Sequence, residues 1–357
     1  MLTGQLRVCV LFLTLTVLTA AVSCRGREEA AAPELEEITA AEENAPVTEE
    51  SALSEDERED AGITAAPQAM TSSSVQQPLS SLSAMSRRIQ GLGVNVREID
   101  PVNYENPDID ILRQMGAEQY LISFLEGEKY YREDDFDRAI TEYTKSISSN
   151  SRFIEALVSR ANAYVKKREF IKAIDDYSKA INLDSGRAEL YNYRGFARIE
   201  LSGAGNTASA IDDFSRAVSL NRNYVDALVN RSYAYYRSGN YEKAIEDCDR
   251  IIALEPANVA IWNRRGSCWY AREDDDRAIR DFSQALSINE NYAAALYNRA
   301  SAWYNKRDYD KAVADLNKCI ALNPSYAAAY TSRGKIFEAQ GNLESAAADF
   351  ASAQRFR

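Results

Sequence analysis

Hydrophobic positions in the last two-thirds of the chain recur with the spacing of amphipathic helices. In six apolar runs, an alanine is followed by Ile or Val, and a second aliphatic residue comes seven positions later, as in Ile245 and Ile252. This i, i+7 spacing places both residues on one face of a helix. The pattern predicts an all-α fold of repeated helices, each covering the apolar face of the one before. Seven alanines mark the runs, 34 residues apart except for one step of 37: Ala139, Ala173, Ala210, Ala244, Ala278, Ala312 and Ala346.

The last run differs at the two face positions, which hold Ala347 and Gln354. Terminal repeats of stacked proteins need a polar outer face for solubility. We therefore expect the seventh unit to close the stack.

A fixed period of 34 residues with two helices per unit is typical of the tetratricopeptide repeat. The chain resembles this family, which implies a right-handed α-solenoid of seven helix–turn–helix units over residues 120–357, each with a helix A and a helix B. The residues that carry the resemblance are Trp262, Gly266, Trp269, Ala278 and Phe282, then Tyr330, Gly334, Phe337, Ala346 and Phe350, with Pro256 and Pro324 at the closing proline.

The units are expected at 120–153, 154–187, 188–224, 225–258, 259–292, 293–326 and 327–357. The third unit is three residues longer than the others, and the excess is predicted at 202–206, in the turn between its two helices. Turns tolerate such insertions at low cost. The extra residues are interpreted as a tolerated insertion, with a functional loop as the alternative.

The N-terminus has the features of an export signal. Arg7 precedes an apolar run from Val8 to Val22, which is shorter than the roughly 20 residues that span a bilayer. Ser23-Cys24 resembles the cleavage site of bacterial lipoproteins, so residues 1–23 are predicted to be a signal peptide and Cys24 the lipid-bearing first mature residue. Plain secretion, an uncleaved anchor and a start placed too early are the alternatives. Arg25 replaces the common Asp retention signal, which favours the outer membrane.

Residues 24–105 are predicted to be a disordered tether, acidic first and then rich in Ser and Gln. Residues 25–60 hold three Arg against fourteen Asp and Glu, a net charge of −11. Low hydrophobicity and few aromatic residues do not offset chain entropy. An acidic recognition tail is the alternative interpretation. Residues 106–119, with Pro107 at the first turn, are expected to form a helix that covers the first unit.

Composition removes several classes of function. The chain has no His, which excludes His-dependent nucleophiles and imidazole metal sites. The net charge of −12 argues against a nucleic-acid partner. No cofactor, metal or catalytic set is expected, so an enzyme is the least favoured class. Cys248, Cys268 and Cys319 are interpreted as small core residues, with a Cys248–Cys268 disulfide as the alternative.

A charge pattern runs through the repeats. Each Arg follows the acid of the preceding unit by 18 residues, which predicts ion pairs between units, from Glu142–Arg160 to Asp315–Arg333. Two solvated faces that repeat by duplication are the alternative. Helix A carries Arg160, Arg194, Arg231, Arg265, Arg299 and Arg333, and helix B carries Glu142, Asp176, Asp213, Asp247, Asp281 and Asp315, with Asp349 in the last unit.

The resemblance also implies a concave groove lined by the helices A, with Asn side chains to bind an extended backbone and Tyr side chains for contact area. Some of the Tyr residues could instead seal the contacts between helices. The chain is thus interpreted as a cell-envelope lipoprotein that binds a protein or peptide partner, the alternative being a surface adhesin or antigen; its oligomeric state is open. The groove residues are Asn162, Asn192, Tyr233, Tyr236, Asn263, Tyr270, Tyr297, Asn298 and Tyr304.

Overall fold

The computed structural model describes residues 109, 113, 116–201 and 203–356. Over this part the chain forms fourteen α-helices and no strand, arranged as a helical repeat solenoid, so the predicted all-α fold is confirmed. The helices A are Gln119–Arg132 (α1), Ile154–Lys166 (α3), Ala188–Glu200 (α5), Val225–Arg237 (α7), Val259–Ala271 (α9), Ala293–Asn305 (α11) and Ala327–Ala339 (α13). The helices B are Phe136–Ser149 (α2), Phe170–Leu183 (α4), Ala204–Leu220 (α6), Tyr241–Leu254 (α8), Asp275–Ile288 (α10), Tyr309–Leu322 (α12) and Leu343–Arg355 (α14).

The same type of backbone turn joins helix A to helix B in six of the units. In the first unit the Asp135 N–H donates to the Tyr130 carbonyl at 2.9 Å, and the Asp134 N–H donates to the Tyr131 carbonyl at 3.2 Å. These two bonds satisfy carbonyls at the end of helix A and require one left-handed residue. That residue is glycine in only two of the six turns; the full set is Asp134, Arg168, Gly239, Glu273, Arg307 and Gly341.

The third unit shows that its extra residues do not lengthen the turn. Three residues separate α5 from α6, as in the other units, but α6 has 17 residues where the other helices B have 13 or 14. The insertion is therefore about one additional turn at the start of α6. The prediction of a longer interhelical turn at 202–206 was wrong, since Gly203 at φ +97° ends the turn and Ala204 already begins the helix.

Small residues on helix A let aromatic rings of helix B approach the backbone. A Cβ added to Gly266 would lie 2.6 Å from the Phe282 ring, and one added to Gly195 would lie 2.7 Å from the Phe214 ring. Phe214 and Phe282 are fully buried. The stack is thus held by close helix A–helix B packing within each unit.

The predicted helix B stripe packs between units, and the last unit lacks it. Ile245 and Leu286 are buried, whereas Ala347 and Gln354 are exposed. Cys248, Cys268 and Cys319 are buried free thiols, as expected for small core residues, and the alternative disulfide is not formed.

The predicted signal peptide, Cys24, the tether and most of residues 106–119 lie outside the described residues. Of the last segment, Ile109 and Arg113 have helical backbone. None of the helices in the described part of the chain combines the length and apolarity needed to cross a membrane.

Candidate binding groove

The helices A lie on the inner side of the stack. Each helix A contacts the helix B of its own unit and that of the preceding unit. Helices A of adjacent units also contact one another, as α5 does with α7 and α9 with α11, more extensively than the helices B do. In a curved stack the elements that approach most closely line the concave side. The side chains of the helices A that point away from the helices B therefore face the groove.

Five predicted groove tyrosines lie on α7, α9 and α11, and all are partly exposed: Tyr233, Tyr236, Tyr270, Tyr297 and Tyr304. One side of several rings packs against another ring. Tyr236 lies 5.6 Å from Tyr241 between ring centroids, and Tyr304 lies 5.7 Å from Tyr309. Each of the five side chains packs against buried residues and keeps some exposed surface. Their role as ligand contacts stays a prediction.

Two of the four predicted groove asparagines are buried, unlike the partly exposed tyrosines. Asn192 and Asn263 are each only 1 % exposed. Asn230 donates its amide to the Asn192 Oδ1 at 3.0 Å, and Asn298 donates to the Asn263 Oδ1 at 3.1 Å. These bonds join helices A of adjacent units. Asn192 and Asn263 therefore stabilise the floor of the groove, which corrects the expectation that their side chains are open to a ligand backbone.

The other two asparagines are partly exposed, and each already makes at least one hydrogen bond. Asn162 accepts from the Tyr177 hydroxyl at 2.5 Å, and Asn298 uses Nδ2 toward Asn263. A hydrogen bond also joins the helices A of the first and second units, where Ser159 donates to the Glu128 Oε1 at 2.7 Å. Polar contacts between successive helices A are thus a general feature, and the sequence signal for them was the recurrence of Asn and Ser on this face.

Charge divides the groove into two parts. The first turns of α3, α5 and α7 carry Glu155, Glu189 and Asp226. Arg187 pairs with Glu189 at 2.7 Å and reaches Glu155 at 3.7 Å. Burial, and then Glu255, raise the pKa of Asp226 above its ordinary value. The same position in the next three helices A is uncharged: Ala260, Ala294 and Ala328.

Sequence reasoning missed Arg264, a buried cation on α9 that is 5 % exposed. Its Nη1 donates to the Val229 carbonyl at 2.7 Å and to the Ser232 Oγ at 3.0 Å. The Nη2 atom is buried and has no hydrogen-bond partner among the described residues. The guanidinium carbon lies 5.5 Å from the ring centroid of Tyr233, so this cation is next to a groove tyrosine.

In the second to seventh units the repeated Arg pairs with the Asp of its own unit, which contradicts the predicted pairing between units. Arg231 Nε donates to the Asp247 Oδ2 at 2.8 Å and Nη2 to the Asp247 Oδ1 at 2.7 Å. Nη1 donates to the Ser215 Oγ of the preceding unit at 3.2 Å. Each Arg therefore links three helices. The pairs are Arg160–Asp176, Arg194–Asp213, Arg231–Asp247, Arg265–Asp281, Arg299–Asp315 and Arg333–Asp349.

The first unit lacks this pair. Glu126 stands where the others have Arg, and it forms an ion pair with Arg113 at 2.8 Å. Glu142 binds Lys145 at 2.6 Å rather than the predicted Arg160, and its second carboxylate oxygen is buried without a hydrogen-bond partner among the described residues. The pairing thus begins at the second unit.

Comparison with known proteins supports the repeat assignment. Residues 154–186, 225–258 and 293–326 each match a model of the tetratricopeptide repeat. These matches support the tetratricopeptide repeat family. Tetratricopeptide repeats indicate a scaffold that binds proteins or peptides. No curated protein matches the sequence.

Two solved structures, described first, show the same helical repeat fold. A tetratricopeptide repeat protein from Parabacteroides merdae is 21 % identical, with a TM-score of 0.56 over 67 % of this chain and 93 % of the other. The C-terminal part of a repeat protein from Cytophaga hutchinsonii is 16 % identical, with a TM-score of 0.54 over 65 % of this chain and 93 % of the other. The MamA protein is 28 % identical over 49 % of this chain and 94 % of its own, with a TM-score of 0.46.

Proposed function

We propose that the chain is a scaffold that binds an extended protein segment along the groove of its helices A. The observation that carries this proposal is the row of partly exposed tyrosines on α7, α9 and α11. Tyrosine supplies apolar contact area and a hydroxyl at low entropic cost, which suits a binding surface. The first turns of α9 and α11 add the small, uncharged residues Ala260 and Ala294 to the same helices.

The groove is tested by site-specific photo-crosslinking in cells. A photoreactive residue at Tyr270 or Tyr304 should crosslink to one common partner. Matched positions on the helices B, Glu246 and Arg280, are exposed and should give none of it. Capture from the helix B positions alone would place the binding surface on the other side of the stack.

The same proposal includes a lipid anchor at Cys24 in a bacterial cell envelope, with the outer membrane favoured. Support comes from the short apolar run followed by Ser23-Cys24. We expect Cys24→Ala to leave the chain unprocessed or to release it from membranes. Unchanged mature mass together with unchanged membrane retention in that variant would exclude lipidation.

A further inference from the structure

We propose that Arg264 makes the groove selective for a carboxylate, so that the bound segment places an Asp or Glu side chain on this guanidinium. The inference rests on the proposed function and adds the chemical class of the ligand at one place in the groove. The partner is a protein segment with an internal acidic residue.

Arg264 differs from the repeated arginines in lacking an acid. Arg265, its neighbour in sequence, makes two bonds to Asp281 and one to Asp249, at 2.5–2.7 Å. No carboxylate among the described residues lies within ion-pair distance of Arg264, although this side chain is more deeply buried. A buried charge is costly unless it is paired. A carboxylate on Arg264 would therefore be favoured more strongly than one on any exposed Arg.

The local sequence explains why this cation is held so deeply. Helix B of the other units places a large residue, such as Phe214 or Phe282, against helix A, but the fourth unit has Cys248 there. Arg264 of the fifth unit lies near this smaller thiol and donates to Ser232 of the fourth unit. The Arg264 side chain is thus held in place, so the position of its unpartnered Nη2 is fixed.

The groove also directs an acidic side chain to this place. Glu155, Glu189 and Asp226 repel a carboxylate from the part formed by α3, α5 and α7. By contrast, α9 and α11 contain no Asp or Glu at all. The partly exposed Tyr233 ring lies 5.5 Å from the buried guanidinium carbon, so we expect this ring to move when a carboxylate reaches Nη2. A carboxylate is therefore favoured near Arg264 over the part formed by α3, α5 and α7, where Arg187 is already paired with Glu189.

The test uses a displayed library of random twelve-residue segments that are fused at both ends, so that no terminal carboxylate is present. The library is selected on the full-length chain, on the Arg264→Gln variant and on Arg280→Gln, which removes the same charge from an exposed site on α10 of the same unit. We expect Asp or Glu at one fixed position with the wild-type chain and with Arg280→Gln. The preference should disappear with Arg264→Gln.

Affinity then isolates the contact. For a selected segment, replacing its acid by the amide should weaken binding to the wild-type chain about 10- to 100-fold, the range for a hydrogen bond to a charged group. The same replacement should matter less than about threefold with Arg264→Gln. The measurement on the wild-type chain shows whether the acid contributes to binding. The comparison with Arg264→Gln, whose folding is checked by circular dichroism, assigns that contribution to Arg264.

The possible outcomes separate the two proposals. Selected segments without a fixed acidic position, or with an acid that Arg264→Gln still prefers, would overturn the role of Arg264 and leave the groove proposal intact. If no segment is selected by any of the three chains, the binding groove itself is refuted and this inference with it.

Discussion

Replacing Arg231 by Ala should strongly destabilise the fourth unit through its own Asp247. The Asp247 side chain is 3 % exposed and that of Arg231 is 14 % exposed, and two charge-assisted bonds of 2.7 and 2.8 Å join them. Removing the Arg leaves a buried carboxylate without its cation, which costs about 3–5 kcal/mol. An exposed pair would lose no more than about 1 kcal/mol.

A double-mutant cycle measured by urea unfolding tests this reasoning. We expect Arg231→Ala and Asp247→Ala to be coupled by about 2–3 kcal/mol. The matched cycle pairs Arg231→Ala with Asp213→Ala, the acid of the preceding unit, which binds Arg194 and Arg198 instead. Residues without a shared contact are additive within about 0.5 kcal/mol. Strong coupling to Asp213 and none to Asp247 would refute the pairing within units.

Three further predictions concern stability. Asp349→Ala should cost about 3 kcal/mol in urea unfolding, because Asp349 is paired inside the last unit; a silent substitution would contradict this. Gly266→Ala should cost about 1–3 kcal/mol by calorimetry, since the new Cβ meets the Phe282 ring, whereas Gly205→Ala, with open space around it, should not destabilise. Burial raises the pKa of Tyr193 to about 12, above the value near 10 of an unfolded chain. The stability that this shift contributes is complete below about pH 10 and is lost between about pH 10 and 12. Tyr absorbance and the melting temperature, both measured against pH, will test this loss.

The helix pairs could be predicted from the sequence because their signals are local. A 34-residue period combined with an i, i+7 stripe specifies both the helix and its buried face. The wrong pairing of the arginines came from treating constant spacing as contact. Eighteen residues separate Asp213 from Arg231 because the link from helix B to the next helix A has constant length. The insertion in α6 instead changes the spacing within the third unit, from 16 to 19 residues, without breaking its pair.

The groove residues were less predictable because burial depends on the neighbouring unit. An Asn such as Asn263 is a residue type that could bind a ligand backbone. Its side chain is instead buried against Asn298, 35 residues later in the next unit, with which it shares a hydrogen bond. Arg264 gave no periodic signal. The available clue was Cys248, a small residue at a place that is aromatic in most units, which predicts unfilled volume nearby.

The arginines of α9 make the stack mechanically uneven. At four junctions between units, the Arg reaches a neutral hydroxyl of the preceding helix B, as Arg231 does with Ser215. At the junction of the fourth and fifth units, Arg265 reaches the carboxylate of Asp249, and Arg264 adds two bonds to α7. All of these bonds have a charged donor, and the bond to Asp249 adds the attraction of an opposite charge. Under tension the solenoid should therefore extend first at its other junctions, while the junction between α7 and α9 resists extension more strongly.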